Sequence, residues 1–162
     1  MRTPGRRRVD VNVKVTGELL TALMPRRVGL RIYSDSLKNT FEVAQYRELW
    51  RVLESAFACK GYRLVNRLTE YPPAQELGFD HKEIHGLLKL RGCASHAESK
   101  KGIEELMAVG PQYTQSLARL KNLAERVIAT KKSWSSPIKD VDEVLPLSGY
   151  VGPDDNAITL RR

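Results

Sequence analysis

The chain has 162 residues, of which 41% are hydrophobic and 28% charged, and its formal net charge is +8. This composition predicts one soluble globular domain with a hydrophobic core and argues against a wholly disordered chain. No apolar run approaches the ~20 residues that cross a bilayer, and no apolar stretch follows the basic N-terminus as a secretory leader requires. Cys59 and Cys93 have no CxxC spacing, so neither a disulfide framework nor a zinc knuckle is indicated. A cytoplasmic location is expected.

The positive charge is concentrated at the N-terminus. Residues 1–31 contain eight Arg or Lys and two acidic residues, a net charge of +6, whereas the other residues carry 19 basic and 17 acidic groups. Such a patch suits a polyanion such as nucleic acid, although a solvated basic surface fits equally well. Arg6, Arg7 and Arg8 are therefore either an RNA-contacting arm, which binds phosphates without sequence specificity, or a basic tail.

Residues 1–35 are predicted to form a basic β segment. Apolar residues alternate with other residues in two stretches, at Val9, Val11, Val13 and Val15 and again at Val28, Leu30 and Ile32. Period-two alternation is typical of a half-buried strand. Because two strands alone are rarely stable in water, the segment must pack on the helices, pair with a partner chain, or be the remnant of a larger β domain.

Residues 40–132 are predicted to form a helical domain. Two apolar stripes recur at three-to-four spacing, one through Tyr46, Leu49, Trp50, Leu53, Ala56 and Phe57 and one through Tyr113, Leu117, Leu120, Ala124, Val127 and Ile128. A second helix passes through Val65, and Asp80 with Glu83 predicts a capping box at the start of the third. Gly110-Pro111 predicts a break before the fourth helix.

The expected fold is mainly α: a four-to-five-helix up-and-down bundle with a short N-terminal β extension. Residues 133–162 are expected to be a mostly irregular tail, because turn residues dominate there.

Arg91 and His96 lie five positions apart at the end of the third helix, separated by small residues. Arg91 follows Ile84 by seven residues and therefore lies on the buried face, where a guanidinium must be paired or reach solvent. An arginine and a histidine in one cleft suit phosphate chemistry, because the guanidinium binds phosphate oxygens and the imidazole moves a proton near neutral pH. The alternative is that His96 decorates a helix end while Arg91 pairs with a glutamate of a neighbouring helix.

The segment LRGCASHA resembles the R-x4-6-H motif of the HEPN superfamily, and YRELWRVLESAF looks like the first long helix of such domains. The resemblance covers residues 40–132. It implies a HEPN-like metal-independent endoribonuclease of a defence or toxin type, with Arg91 on the scissile phosphate and His96 near the attacking or leaving oxygen. It also implies a homodimer with both motifs at a shared cleft, RNA as the substrate, and an antitoxin or defence partner.

Several other residues are assigned by their proximity in sequence. Ser95 and His85 are expected to border the site, and Lys100 and Lys101 are expected to bind nucleic acid together with the N-terminal arginines. No cofactor is expected. A metal site at HKEIH, residues 81–85, is not favoured, because no third ligand is evident and the glutamate position differs from the H-E-x-x-H motif.

Two alternative functions remain open. Active HEPN members usually have Asn, Asp or His directly after the arginine, whereas Gly92 stands there in this chain. The resemblance is therefore also compatible with a catalytically silent nucleotide-binding or protein-interaction module. A DNA-binding regulator that uses the basic β segment is a third hypothesis, although no recognition helix with basic residues at its start is visible.

Overall fold

The structure is a computed structural model that describes residues 8–11, 17–95, 100–138 and 158–161. The described part of the chain is mainly helical. Its helices are α1 (Gly17–Leu23), a 3-10 turn (Met24–Arg26), α2 (Arg27–Lys38), α3 (Glu42–Phe57), α4 (Gly61–Thr69), α5 (Pro72–Glu76), α6 (His81–Ser95) and α7 (Lys100–Thr130). Its strands are β1 (Arg8–Val11) and β2 (Ile158–Arg161). Within these ranges no helix is long and apolar enough to cross a membrane.

Helix α3 occupies the centre of the bundle and contacts α2, α6 and α7. Every residue of its predicted apolar stripe is fully buried. The predicted stripe on α7 is buried as well, apart from Leu117, which is partly buried against the core. The apolar periodicity therefore predicted both helices and their inward faces correctly, and a mainly α bundle is confirmed.

Helix α6 begins with the predicted cap but not with the complete capping box. The backbone N–H of Glu83 donates to Asp80 Oδ1 over 2.7 Å, which satisfies one of the free donors at the start of the helix. The carboxylate of Glu83 instead binds the guanidinium of Arg119 on α7. The same residue therefore links the start of α6 to its neighbouring helix.

The predicted break at Gly110-Pro111 is wrong, because α7 continues through both residues. Pro111 lacks an N–H and therefore removes one hydrogen bond from the helix interior. Two residues later, Tyr113 is buried and its hydroxyl donates to the carbonyl oxygen of Leu90 on α6. The packing of Tyr113 on α6 supports one continuous helix where local propensity favours two.

The predicted strand through Val28, Leu30 and Ile32 is also wrong, because these residues belong to α2. The buried positions of α2 are Gly29 and Ser36, seven residues apart on one helical face. Because glycine and serine do not have apolar side chains, these two buried positions do not show as a helical apolar stripe in the sequence. A Cβ atom at Gly29 would lie 2.0 Å from Cζ2 of Trp134, which means that the helix approaches this indole more closely than any other residue type allows.

The N-terminal β extension is not confirmed in its predicted form. Strand β1 pairs antiparallel with β2, and Val9 lies opposite Leu160. The partner strand therefore comes from the end of the chain, within the segment that was expected to be mostly irregular.

Candidate functional site at the end of helix α6

Two buried tyrosines anchor the C-terminal half of α6. The hydroxyl of Tyr46 on α3 donates to the carbonyl oxygen of Leu87 over 3.0 Å, and that of Tyr113 on α7 donates to the carbonyl oxygen of Leu90. Their rings pack edge to face with centroids 5.1 Å apart, an arrangement that aromatic pairs prefer. The last two turns of α6 are thus bound to both central helices directly below Arg91.

Arg91 occupies a partly open position on this anchored stretch. Its side chain is 33% exposed, and Nη2 lies 3.5 Å from Oε1 of Glu54 on α3, a carboxylate that is only 10% exposed. The contact is an ion pair with the longer separation typical of a loosely seated guanidinium. This is the pairing that the alternative interpretation of the sequence predicted. Among the described residues, Glu54 is the carboxylate that pairs with Arg91, and it contacts Nη2, so the guanidinium has further donors with which to bind a second anion.

The residue after Arg91 leaves space beside the site. A Cβ atom placed on Gly92 would meet no other atom within 4 Å. Gly92 and Cys93 are both half-buried. A polar side chain at position 92 would therefore fit without displacing a neighbour.

Of the remaining members of the predicted site, three fall outside the residues that the structure describes, namely His96, Arg6 and Arg7. Arg8 begins β1, and Lys100 and Lys101 begin α7, but the described atoms do not include their side chains. The convergence of Arg91 and His96 therefore remains a prediction.

Ser95 and His85, the two residues expected to border the site, each have local partners. Ser95 is exposed at the end of α6, and its hydroxyl donates to the carbonyl oxygen of Arg91 over 3.1 Å. His85 Nε2 lies 3.1 Å from the hydroxyl of Tyr62 on α4. Six residues separate His85 from Arg91, which corresponds to ~9 Å along the helix and ~120° around it. Ser95 thus lies on the same last turn as Arg91, whereas His85 faces α4.

The HKEIH segment brings its two histidines together without further ligands. The ring centroids of His81 and His85 are 6.1 Å apart. Within the described ranges, no group of three or more His, Cys, Asp or Glu side chains is arranged to hold a metal ion.

A second surface feature lies between α6 and α7. A groove of about 330 Å³ is bordered by Leu87, Gln112 and Gln115, with Glu83 and Arg119 also lining it. Arg119 binds both carboxylate oxygens of Glu83, at 2.8 and 3.0 Å, and packs over the ring of Phe79. The pairing with Glu83 raises the pKa of this guanidinium. The guanidinium of Arg119 therefore links α6 to α7 and is a weak candidate for ligand binding.

The sequence pattern did not predict that Glu54 pairs with Arg91 or that the hydroxyls of Tyr46 and Tyr113 bind α6. Glu54 follows the buried Leu53 and lies one turn after Trp50, at the edge of the apolar stripe of α3. An acidic residue beside a buried stripe is a signal that it faces a cation on another helix. Which cation it faces depends on how α3 and α6 cross.

No family model matches the chain, and searches of curated proteins and of solved structures found no match. The resemblance to the HEPN superfamily therefore depends on the segment around Arg91 and His96 and on the helical pattern around it.

Proposed function

We propose that this chain is a HEPN-like helical domain that cleaves RNA as a metal-independent endoribonuclease of a defence or toxin type. The observation that supports this proposal most directly is the position of Arg91. Its guanidinium is one-third exposed on a helix end that two tyrosines anchor to the core, and a glutamate holds one edge of it. An arginine that is partly exposed and paired along one edge has further donors with which it can bind a phosphate.

The proposed chemistry uses the two residues that the motif assigns. Arg91 would hold the non-bridging oxygens of the scissile phosphate and stabilise the charge that develops on the phosphorane. The ribose 2′-oxygen would attack phosphorus while the bond to the 5′-oxygen breaks, which leaves a 2′,3′-cyclic phosphate and a 5′-hydroxyl. His96 would either accept the proton of the 2′-hydroxyl or donate one to the 5′-oxygen, and water would exchange the other proton. Glu54 would keep Arg91 in position throughout, because its carboxylate contacts only one edge of the fork.

We further propose that the active form is a homodimer. The resemblance implies two motifs at one cleft, and a charged residue on the inward side of α6 is tolerated more easily in a wet groove between chains than in a closed core. The expected interface is isologous and involves α6 and α7. Light scattering at micromolar concentration should report twice the mass of the chain, and a monomer there would contradict this part of the proposal.

One cleavage assay on mixed RNA tests the enzyme. His96→Ala should lower turnover about 10²–10⁴-fold, because positioned acid–base groups contribute that much. Arg91→Lys should also be strongly impaired, since an ammonium group cannot reproduce the bidentate fork. Activity should persist in EDTA, and a 2′-deoxy sugar at the cleavage point should block the reaction. Cleavage that survives His96→Ala would show that the site is wrongly assigned.

A matched substitution tests the part played by Glu54. Glu54→Gln keeps the shape of the side chain but removes the charge that holds Arg91. If Glu54 positions Arg91 for phosphate, this variant should lose turnover more than it loses RNA affinity. If Glu54 merely neutralises Arg91, the same variant should bind RNA more tightly. Glu48, which precedes Glu54 on α3 and pairs with Arg51, provides the control as Glu48→Gln, because that change removes the same charge away from Arg91.

A catalytically silent module that binds nucleotide or a protein partner, such as an antitoxin, is the second candidate, and one observation favours it. Gly92 cannot orient a substrate where active HEPN members usually have a polar residue. Because the space beside Gly92 is open, Gly92→Asn should fold normally. If the wild-type chain does not cleave RNA and Gly92→Asn does, the glycine silences an otherwise competent site. If neither cleaves RNA, the binding module is the better description.

A further inference from the structure

A cavity unconnected with the predicted site lies against α4. Its volume is about 650 Å³, and it is lined by Ala58, Cys59, Arg63, Asn66, Arg67 and Glu70. Pro137 closes one side. This volume falls within the range of small-molecule binding sites in proteins, roughly 300–1,000 Å³.

The lining residues of α4 form one face of the helix. Arg63, Asn66 and Arg67 are spaced three and four residues apart, so their side chains project to the same side. The opposite side buries Leu64, Val65 and Leu68 in the core. The helix is therefore held by its apolar face, and the two arginines are not required for its packing.

Arg63 and Arg67 differ from four other arginines in the described part of the chain. Arg51, Arg91, Arg119 and Arg126 each pair with a carboxylate. Within the described ranges, by contrast, neither Arg63 nor Arg67 has a carboxylate oxygen within 4 Å or a hydrogen-bond acceptor. The polar groups of the cavity are thus two guanidinium groups with five N–H donors each, one amide, Asn66, and one carboxylate, Glu70, so cationic donors outnumber the single anion.

Contacts within residues 131–138 fix the wall that faces α4. Lys131 is fully buried, its Nζ donates to the carbonyl oxygen of Ile138 over 2.6 Å, and the same Nζ lies 4.6 Å from the centroid of the Phe57 ring. The N–H of Ser135 donates to the carbonyl oxygen of Ala56 over 3.0 Å. The first bond joins the two ends of the segment to each other, and the contacts with Phe57 and Ala56 join the segment to the end of α3, so this wall is held in place.

Cys59 at the base of the cavity is a neutral thiol at physiological pH. Burial raises its pKa, and the nearby Arg67 and Arg63 offset only part of that effect. A protonated thiol is a poor nucleophile. The cavity is therefore suited to binding and not to cysteine chemistry.

We propose that this cavity binds the phosphate monoester of a small organic molecule of nucleotide size, with Arg63 and Arg67 on the phosphate oxygens. Guanidinium forks match phosphate geometry and form charge-assisted hydrogen bonds. The cavity is several times larger than a phosphate ion needs, which leaves room for a sugar and a base. This proposal is independent of RNA cleavage and of Arg91.

The cysteine at the base provides a direct measure of occupancy. The chain has two cysteines, so Cys93→Ser leaves Cys59 as the single thiol. The rate at which a maleimide labels Cys59 is measured at mildly alkaline pH, where more of the thiol is ionised, with the four ribonucleoside 5′-monophosphates, inorganic phosphate, the free nucleosides and a short RNA with a 5′-hydroxyl. A nucleoside monophosphate should slow labelling in a saturable manner, and the nucleosides should not. Calorimetry on the unmodified chain should give the matching Kd.

Two sets of substitutions locate the binding. Arg63→Gln and Arg67→Gln should each weaken binding about tenfold or more, because each removes charge-assisted hydrogen bonds. Arg47→Gln is the matched control, since Arg47 is also an exposed helical arginine but lies ten residues before α3 ends. It should bind as the wild-type chain does. Circular dichroism and thermal melting should be unchanged in all three variants.

Several results would overturn the proposal. These are the absence of protection by any monophosphate at millimolar concentration, equal protection by nucleosides, and full binding by both pocket variants. Equal loss in Arg47→Gln would show a general charge effect, and protection by RNA alone would make the face a polynucleotide surface. RNA cleavage is not a readout in these measurements, so failure here leaves the proposed endoribonuclease untouched, and failure of cleavage leaves this site untouched.

Discussion

The helices of residues 42–130 and the N-terminal helices of residues 17–38 are held by different forces. Helix α3 alone buries seven side chains, all of them apolar or aromatic. Helix α2 buries Gly29 and Ser36, and its Val28 and Leu37 remain about half exposed. The first region is thus stabilised by removing large apolar side chains completely from water, whereas in the second Leu19 is buried and Leu30, Ile32 and Tyr33 are only partly buried against the core.

Close approach and hydrogen bonds supplement the partial apolar burial of the N-terminal helices. Gly29 allows α2 to approach Trp134, the hydroxyl of Tyr33 donates to a carboxylate oxygen of Glu125 on α7, and Ser36 donates to the carbonyl oxygen of Tyr33. Burial, and secondarily the bond to Glu125, raises the pKa of Tyr33. A segment fastened by a few specific contacts should respond to substitution at those contacts and tolerate change elsewhere.

The largest effect should come from the centre of the bundle. Leu53 is fully buried on α3, and Leu53→Ala should lower the free energy of unfolding by about 2–5 kcal/mol, since it removes apolar contacts and leaves a cavity. Chemical denaturation followed by circular dichroism measures the change. A loss below about 1 kcal/mol would mean that the core relaxes around the cavity, and the contrast between the two regions would be weaker than stated.

A single methyl group at Gly29 should have the next largest effect. Gly29→Ala places a carbon within van der Waals overlap of the Trp134 indole, and overpacking of this kind costs about 1–3 kcal/mol. The fluorescence of Trp134, measured with Trp50→Phe as background, should shift as the ring is displaced. Gly86→Ala on α6 is the control, because its Cβ would meet nothing within 4 Å. It should be neutral or stabilising. Equal behaviour of the two variants would refute the close-approach argument.

Removal of the Tyr46 hydroxyl should lower the free energy of unfolding at neutral pH by less than the two substitutions above. It should also change how the free energy of unfolding depends on pH in the alkaline range. Tyr46→Phe loses the bond to the Leu87 carbonyl, which contributes about 1 kcal/mol. Burial, and secondarily Tyr113, raises the pKa of Tyr46. The stability linked to this group is therefore fully present below about pH 10, the ordinary tyrosine pKa, and is lost as pH rises further, because the unfolded chain releases the proton first. The free energy of unfolding should fall less steeply above pH 10 in Tyr46→Phe. An unchanged slope would contradict this.

The smallest effect should come from the exposed apolar residues of the N-terminal helices. Met24 is 58% exposed, and Met24→Gln should change the free energy of unfolding by no more than about 0.5 kcal/mol. Denaturation in dilute solution, repeated at a tenfold higher concentration, checks both the value and its independence of association. A loss above about 1 kcal/mol would show that Met24 is covered in solution.

At the candidate site, one feature was predictable from the local sequence pattern and two depend on tertiary contacts. The register of Arg91 with Ile84 predicted that the guanidinium lies near the buried side of α6, and it does lie partly buried there. The identity of its partner, Glu54, was not predictable, because it depends on the crossing of α3 and α6. The anchoring of α6 by Tyr46 and Tyr113 likewise depends on contacts 41 and 23 residues apart in the chain.

The sequence alone determined the amphipathic helices of the bundle, because their buried residues are large, apolar and spaced at the helical period. Only the tertiary structure decided that α2 is a helix and that α7 continues through Pro111. In α2 the fully buried positions are the small residues Gly29 and Ser36, which add nothing to an apolar pattern, and in α7 packing around Tyr113 compensates for the hydrogen bond that proline removes. The cavity beside α4 was hidden for a related reason: the local pattern shows that Arg63 and Arg67 share a face, but the segment that closes this face comes from residues 131–138.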